Sequence, residues 1–112
     1  MKEDVTTQVF RALADPTRRA ILQKIASKPL HVAQLKGNFE ISRPAISKHL
    51  RILKNAGLVT FTEEGKKRMY RLQARPLRYA YNWLDHYRSF WTESLRNLKK
   101  HVESRPPASK RK

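Results

Sequence analysis

Apolar residues recur along the chain first at helical and then at alternating spacing, and the change of period divides it into elements. Val5, Val9, Phe10 and Leu13 predict a short amphipathic helix ending near Ala14. Asp15-Pro16 restarts the chain. Asp15 suits an N-cap and Pro16 the first helical position, so a second helix runs through Ala20, Ile21, Leu22 and Ile25 to about Ser27, where Lys28-Pro29 ends it. A third helix runs from about Val32 to Lys36, with Val32 and Leu35 inward and Gly37-Asn38 as its turn. His31 stands where a Ser or Thr cap would be ordinary. Ser42 caps a fourth helix with Pro44 in its first turn, and Gly57 after Ala56 stops it.

On the fourth helix, at 100° per residue, Ile46, Leu50 and Leu53 fall within one narrow arc flanked by His49, which predicts the buried side. Pro44, Ser47, Lys48 and Arg51 fall on a different arc that has no acidic residue. A short helix, a turn and a helix with a basic outward face is the sequence form of a helix-turn-helix, whose second helix enters the DNA major groove. After Gly57 the period becomes alternating. Residues 58–61 and 69–72 are rich in strand formers and are separated by Glu63-Glu64-Gly65-Lys66, which predicts a β-hairpin. Lys66, Lys67 and Arg68 crowd its tip and returning strand, as in a wing placed to touch phosphates or the minor groove.

The last predicted helix starts near Pro76 and continues to about Val102. Leu77, Ala80, Leu84, Tyr87, Trp91, Leu95, Leu98 and Val102 keep nearly heptad spacing along it. A small winged domain cannot cover all of that stripe, so a second copy of the chain is expected to, with Val9 of the first helix as a further contributor. Six of the ten aromatic residues lie between Tyr79 and Trp91. Packing between two chains accounts for several of them, and a pocket for a hydrophobic effector is the other reading.

Composition narrows the partner. The chain has 112 residues, with 25 Lys and Arg against 9 Asp and Glu, for a net charge of +16. This length supports one domain with a core too modest for a large active-site cavity. The charge calls for a polyanion, either nucleic acid or an anionic membrane surface. Its distribution favours DNA: residues 43–78 carry +8, whereas residues 79–103, the expected dimer stretch, carry +1. Residues 104–112 carry +4 with two prolines and nothing apolar larger than Ala108, and are expected to be a disordered basic tail on a domain of residues 1–103. Cysteine is absent, which excludes disulfides, thiol catalysis and thiolate metal sites. No run of hydrophobic residues exceeds three, so neither a transmembrane helix nor a signal peptide is expected and the location is read as cytoplasmic. No nucleophile, base and orienting group form a motif, so no enzyme is expected.

Three segments carry a family resemblance. Ala12-Leu13-Ala14-Asp15-Pro16-Thr17-Arg18-Arg19-Ala20-Ile21-Leu22, then Ser42-Arg43-Pro44-Ala45-Ile46-Ser47-Lys48-His49-Leu50, then Ala56-Gly57-Leu58-Val59, resemble the winged helix-turn-helix repressors of the ArsR/SmtB family over about residues 5–103. The resemblance implies a dimeric repressor that binds an imperfect inverted repeat, with its terminal helices at the dimer interface. Many members sense metals, and here the sequence departs from them. One family site needs a cysteine cluster near the third helix. Another needs Asp-x-His and His-x-x-Glu on the terminal helix, whereas Asp85 is followed directly by His86, and Ser104 stands third after His101. The chain is therefore closest to members without metal ligands, and no metal or cofactor is expected.

The expected architecture is mainly helical with a small hairpin, a winged helix-turn-helix in the order α-α-α-α-β-β-α that dimerises through its terminal helices. Lys48 and Arg51 are the first candidates for DNA contact, as long cations on the outward arc. Arg43, Pro44 and Ser47 follow, with Arg43 placed to read guanine or to hold a phosphate. His49 is assigned to packing or a phosphate in preference to a sensing role, and Lys66, Lys67 and Arg68 to the wing. Arg18 and Arg19 open a helix whose dipole opposes them, so either phosphate contact or an ion pair with Asp15 or Asp4 is expected. The expected interface comprises Val9, Leu77, Leu84, Tyr87, Trp91, Leu95 and Leu98. The function read from these features is a sequence-specific repressor, autoregulatory in one form of the reading, binding an operator as a homodimer. Its rivals are a non-specific nucleoid protein and a metal-responsive repressor using His, Asp and Glu ligands.

Overall fold

Four helices of the first half each begin at a side chain that stands one residue ahead of them and takes up a free backbone N–H. In the computed structural model, which describes residues 4–103, the Asp4 carboxylate accepts from Thr7 N at 2.7 Å and starts α1 (Val5–Leu13). Asp15 accepts from Arg18 N at 3.0 Å and starts α2 (Pro16–Ser27). His31 starts α3 (Val32–Lys36), and Ser42 Oγ accepts from Ala45 N at 3.2 Å to start α4 (Arg43–Asn55). The irregular cap at His31 is a complete capping box: its Nδ1 accepts from Gln34 N while the Gln34 side chain accepts from His31 N.

The inward arcs of these helices make one core with the base of the hairpin. Val9, Ile21, Leu35, Ile46, Leu50, Leu53 and Leu58 are wholly buried in it. Burying one such aliphatic side chain is worth roughly 1.5–3 kcal/mol. Ile46, Leu50 and Leu53 therefore fix α4 far more firmly than surface ion pairs, worth about 0–1 kcal/mol each, could do. Val9 must be reassigned. It lies inside this core rather than at a dimer interface, because the apolar face of α1 turns toward its own domain.

Gly57 follows α4 with φ +80°, a conformation that costs a residue without Cβ little, and the chain then turns into the hairpin. Strand β1 (Val59–Glu64) pairs antiparallel with β2 (Lys67–Leu72) from Val59↔Leu72 to Glu64↔Lys67. The turn is shorter than the sequence predicts. Glu63 and Glu64 belong to β1, and Gly65-Lys66 alone reverses the chain, with Gly65 at φ +67° and Lys66 at negative φ as in a II′ turn. Leu30 adds a one-residue third strand by pairing with Tyr70.

The chain divides into two compact units between Tyr81 and Asn82. The single last helix expected from the heptad spacing is two, α5 (Leu77–Asp85) and α6 (Arg88–Glu103). At the break His86 N and Tyr87 N donate to the carbonyls three residues back, and Asp85 pairs with Arg88 at 2.8 Å. A spacing of three between Leu84 and Tyr87 is compatible with a turn as well as with a helix, which is why the period does not register the break. Leu77 is partly buried against the core, whereas Leu84, Tyr87, Trp91, Leu95 and Leu98 are exposed in this single chain. The tail expected to be disordered, residues 104–112, lies outside the described residues, as does the start of the chain before Asp4. No described helix is long and apolar enough to cross a membrane.

Candidate nucleic-acid interface

Because its apolar arc is buried, α4 presents Arg43, Pro44, Ser47, Lys48 and Arg51 outward, all exposed. The hairpin tip brings Lys66, Lys67 and Arg68 to the surface. These two predicted groups meet. An open groove of about 500 Å³ is lined by Arg43 and Ser47 from the start of α4, by Lys66, Lys67, Arg68 and Tyr70 from the hairpin, and by His31, Val32 and Ala33. Four cations line it and no carboxylate does, so its potential favours an anion. Lys48 and Arg51 lie on the same helix without lining the groove.

The acidic residues of the hairpin are locally neutralised. Glu63 faces Arg68 at 3.8 Å, and Glu64 accepts from Arg71 at 3.0 Å and from the Thr62 hydroxyl. Arg68 also stacks over the Phe61 ring, 4.4 Å from its centroid, which ties this cation to the wing's own structure. Among the described residues, Lys66 and Lys67 are left as the exposed wing cations with neither pairing.

His49 is half-buried at the edge of the α4 core face, and Arg18 Nη1 lies 3.4 Å from its Nδ1. A guanidinium only donates, so when His49 is neutral its Nδ1 accepts and its Nε2 carries the proton. Arg18 also donates to the carbonyls of Ala12 at 2.8 Å and Arg11 at 3.0 Å, and Arg19 donates to Leu13 O at 2.7 Å. The two arginines thus hold the last carbonyls of α1, that of Arg11 together with the Ala14 N–H, a role that neither sequence reading anticipated. The backbone N–H of Arg18 holds the Asp15 carboxyl below its ordinary value; burial opposes this, and the nearby His49 and Arg18 charges add to it.

Sequence reasoning missed two groove features. The Leu30–Tyr70 pairing has no signal in a strand of one residue. His31 had one, since a cap followed three residues later by Gln34 is the pattern of a capping box. Among the described residues, no three His, Cys, Asp or Glu side chains come together as a metal site would require.

Residues 15–60 match the family described as bacterial regulatory protein, arsR family. The chain is 39% identical over 97 residues to the HTH-type transcriptional regulator Rv2034 of Mycobacterium tuberculosis, covering 87% of this chain and 88% of that protein. It is 37% identical over 76 residues to the transcriptional repressor SdpR of Bacillus subtilis, covering 68% of this chain and 84% of that protein. Among solved structures, an ArsR-like transcriptional regulator from Rhodococcus sp. RHA1 superposes with a TM-score of 0.67 at 31% identity, over 90% of this chain and 95% of that one.

Proposed function

The chain belongs to the bacterial ArsR regulatory family of DNA-binding transcriptional regulators, and from that premise we propose that it is a repressor which binds an inverted-repeat operator as a homodimer. In this reading two copies of α4 enter successive major grooves roughly 34 Å apart, and the wings hold the flanking backbone. Lys48 and Arg51 reach base edges, while Arg43, Ser47, Lys66 and Lys67 hold phosphates. The observation that carries the reading is the shared groove: the start of α4 and the hairpin tip, separate in sequence, line one basic concavity without a carboxylate. The exposed stripe of Tyr87, Trp91, Leu95 and Leu98 supports pairing with a second copy.

Footprinting the purified protein on the DNA upstream of its own gene, with competition by random duplex, tests the proposal. A symmetric protected site and a preference of about a thousandfold or more are expected. A preference near unity would instead make the protein a non-specific architectural binder and refute the operator.

A further inference from the structure

His31 is the one imidazole of the basic groove, and its place is fixed from two sides. Its neighbour Leu30 pairs with Tyr70 of β2 through both backbone bonds, so the chain entering α3 runs beside the wing. The ring is held by the capping box: Nδ1 accepts from Gln34 N at 3.4 Å while Gln34 Oε1 accepts from His31 N at 3.0 Å. A ring nitrogen that accepts carries no proton, so neutral His31 is protonated on Nε2. Among the described residues nothing accepts from that Nε2–H.

Resting on the DNA-binding reading above, we infer that His31 is a backbone-phosphate contact, in which Nε2–H donates to a DNA phosphate oxygen while Nδ1 stays on Gln34. Arg43, Lys66, Lys67 and Arg68 draw the phosphate into the groove, and a neutral donor completes its hydrogen bonding. The contact uses the imidazole, not the end of the five-residue α3. It differs from the surrounding cations in one measurable respect. A neutral donor displaces no counterion, so it adds affinity without steepening the salt dependence.

His31→Asn separates the two roles, because Asn is a strong N-cap but lacks the Nε2 donor. Wild type and variant are titrated, at mildly alkaline pH and over a salt series, into a random-sequence duplex and into the footprinted duplex. The variant should bind both about tenfold more weakly, with an unchanged slope of log K against log salt and an unchanged thermal midpoint. Equal affinity of the two proteins for the random duplex overturns the inference. So does a slope reduced by about one, which would make the contact an imidazolium. Failure of the operator reading looks different, since wild type itself would then not distinguish the duplexes while the deficit of H31N on both would remain. Nitrogen-15 NMR of the free wild-type protein provides a check without a variant: a proton on Nδ1 of neutral His31 would refute the assigned geometry.

Discussion

Leu30 and Tyr70 exchange both backbone hydrogen bonds, Leu30 N to Tyr70 O at 3.2 Å and Tyr70 N to Leu30 O at 2.9 Å. This pairing joins the loop before α3 to the returning strand of the hairpin. A two-stranded hairpin alone is marginal in water, so its direction depends on what it is packed and bonded against. Here Tyr70 is buried with its ring 5.3 Å from Phe61, and Gln73 N donates to Leu58 O at 2.8 Å to close the base.

Tyr70→Ala should therefore cost about 3 kcal/mol, near the low end for truncating a buried aromatic, and should loosen the wing. In wild type the Leu30 amide should exchange with deuterium as slowly as amides inside the hairpin. Exchange at the rate of an open loop would rule out the pairing in solution.

Arg18 holds two carbonyls of α1 and approaches His49 of α4. Truncation to Ala should destabilise the fold by about 1–3 kcal/mol in urea unfolding, since the partly buried Ala12 carbonyl loses a charged donor. Arg18→Lys should recover little, because a single ammonium cannot span the same acceptors as the guanidinium fork. Full recovery by lysine would argue that only the charge matters.

Asp15 titrates below its ordinary value of 3.8 in the folded protein. Its folded-state pKa is thus depressed, so its contribution is complete above the unfolded value and disappears as pH falls through the folded one. Wild type should lose stability on acidification below about pH 4 more steeply than Asp15→Asn, which keeps the cap but carries no charge. Parallel urea midpoints for the two proteins across that window would contradict the assignment.

Base-reading and phosphate-holding cations should separate in binding experiments. Lys48→Ala with Arg51→Ala should remove discrimination between operator and random duplex, at about 1–3 kcal/mol per lost base contact, with the fold intact. Lys66→Ala with Lys67→Ala should weaken binding to every sequence and lower the salt slope by about two. Operator preference retained in the first variant would displace α4 from the role of recognition helix.

Trp91→Ala with Leu95→Ala removes the centre of the exposed α6 stripe, where these side chains are 42% and 60% exposed. Wild type should sediment as a dimer and the variant as a monomer with similar helical content. A wild-type monomer at micromolar concentration would remove the homodimer from the proposal.

Local chemistry made most of the fold legible. Asp15 before Pro16, and Ser42 before Arg43 and Pro44, announce helix starts through short-range rules that the structure follows at bond distances of 3.0 and 3.2 Å. The arc of Ile46, Leu50 and Leu53 identified the buried side of α4, and thereby the outward one. At Val9 the deciding contacts were not local. Periodicity cannot tell which partner an apolar face meets, so Val9 read as an interface residue although it fills its own domain. Nor does spacing register a break such as that at His86-Tyr87, where the apolar stripe continues across a turn.

The amino-acid sequence by itself determined the first four helices, the basic outward face of α4 and the basic hairpin, because propensity, capping and charge are properties of neighbouring residues. Only the tertiary structure decided that Arg43 and Ser47 share a groove with Lys66 to Arg68, that His31 joins them, and that Arg18 turns to α1 and His49. Those relationships join residues distant in sequence through packing and a one-residue strand pairing, and such contacts leave no periodic trace along the chain.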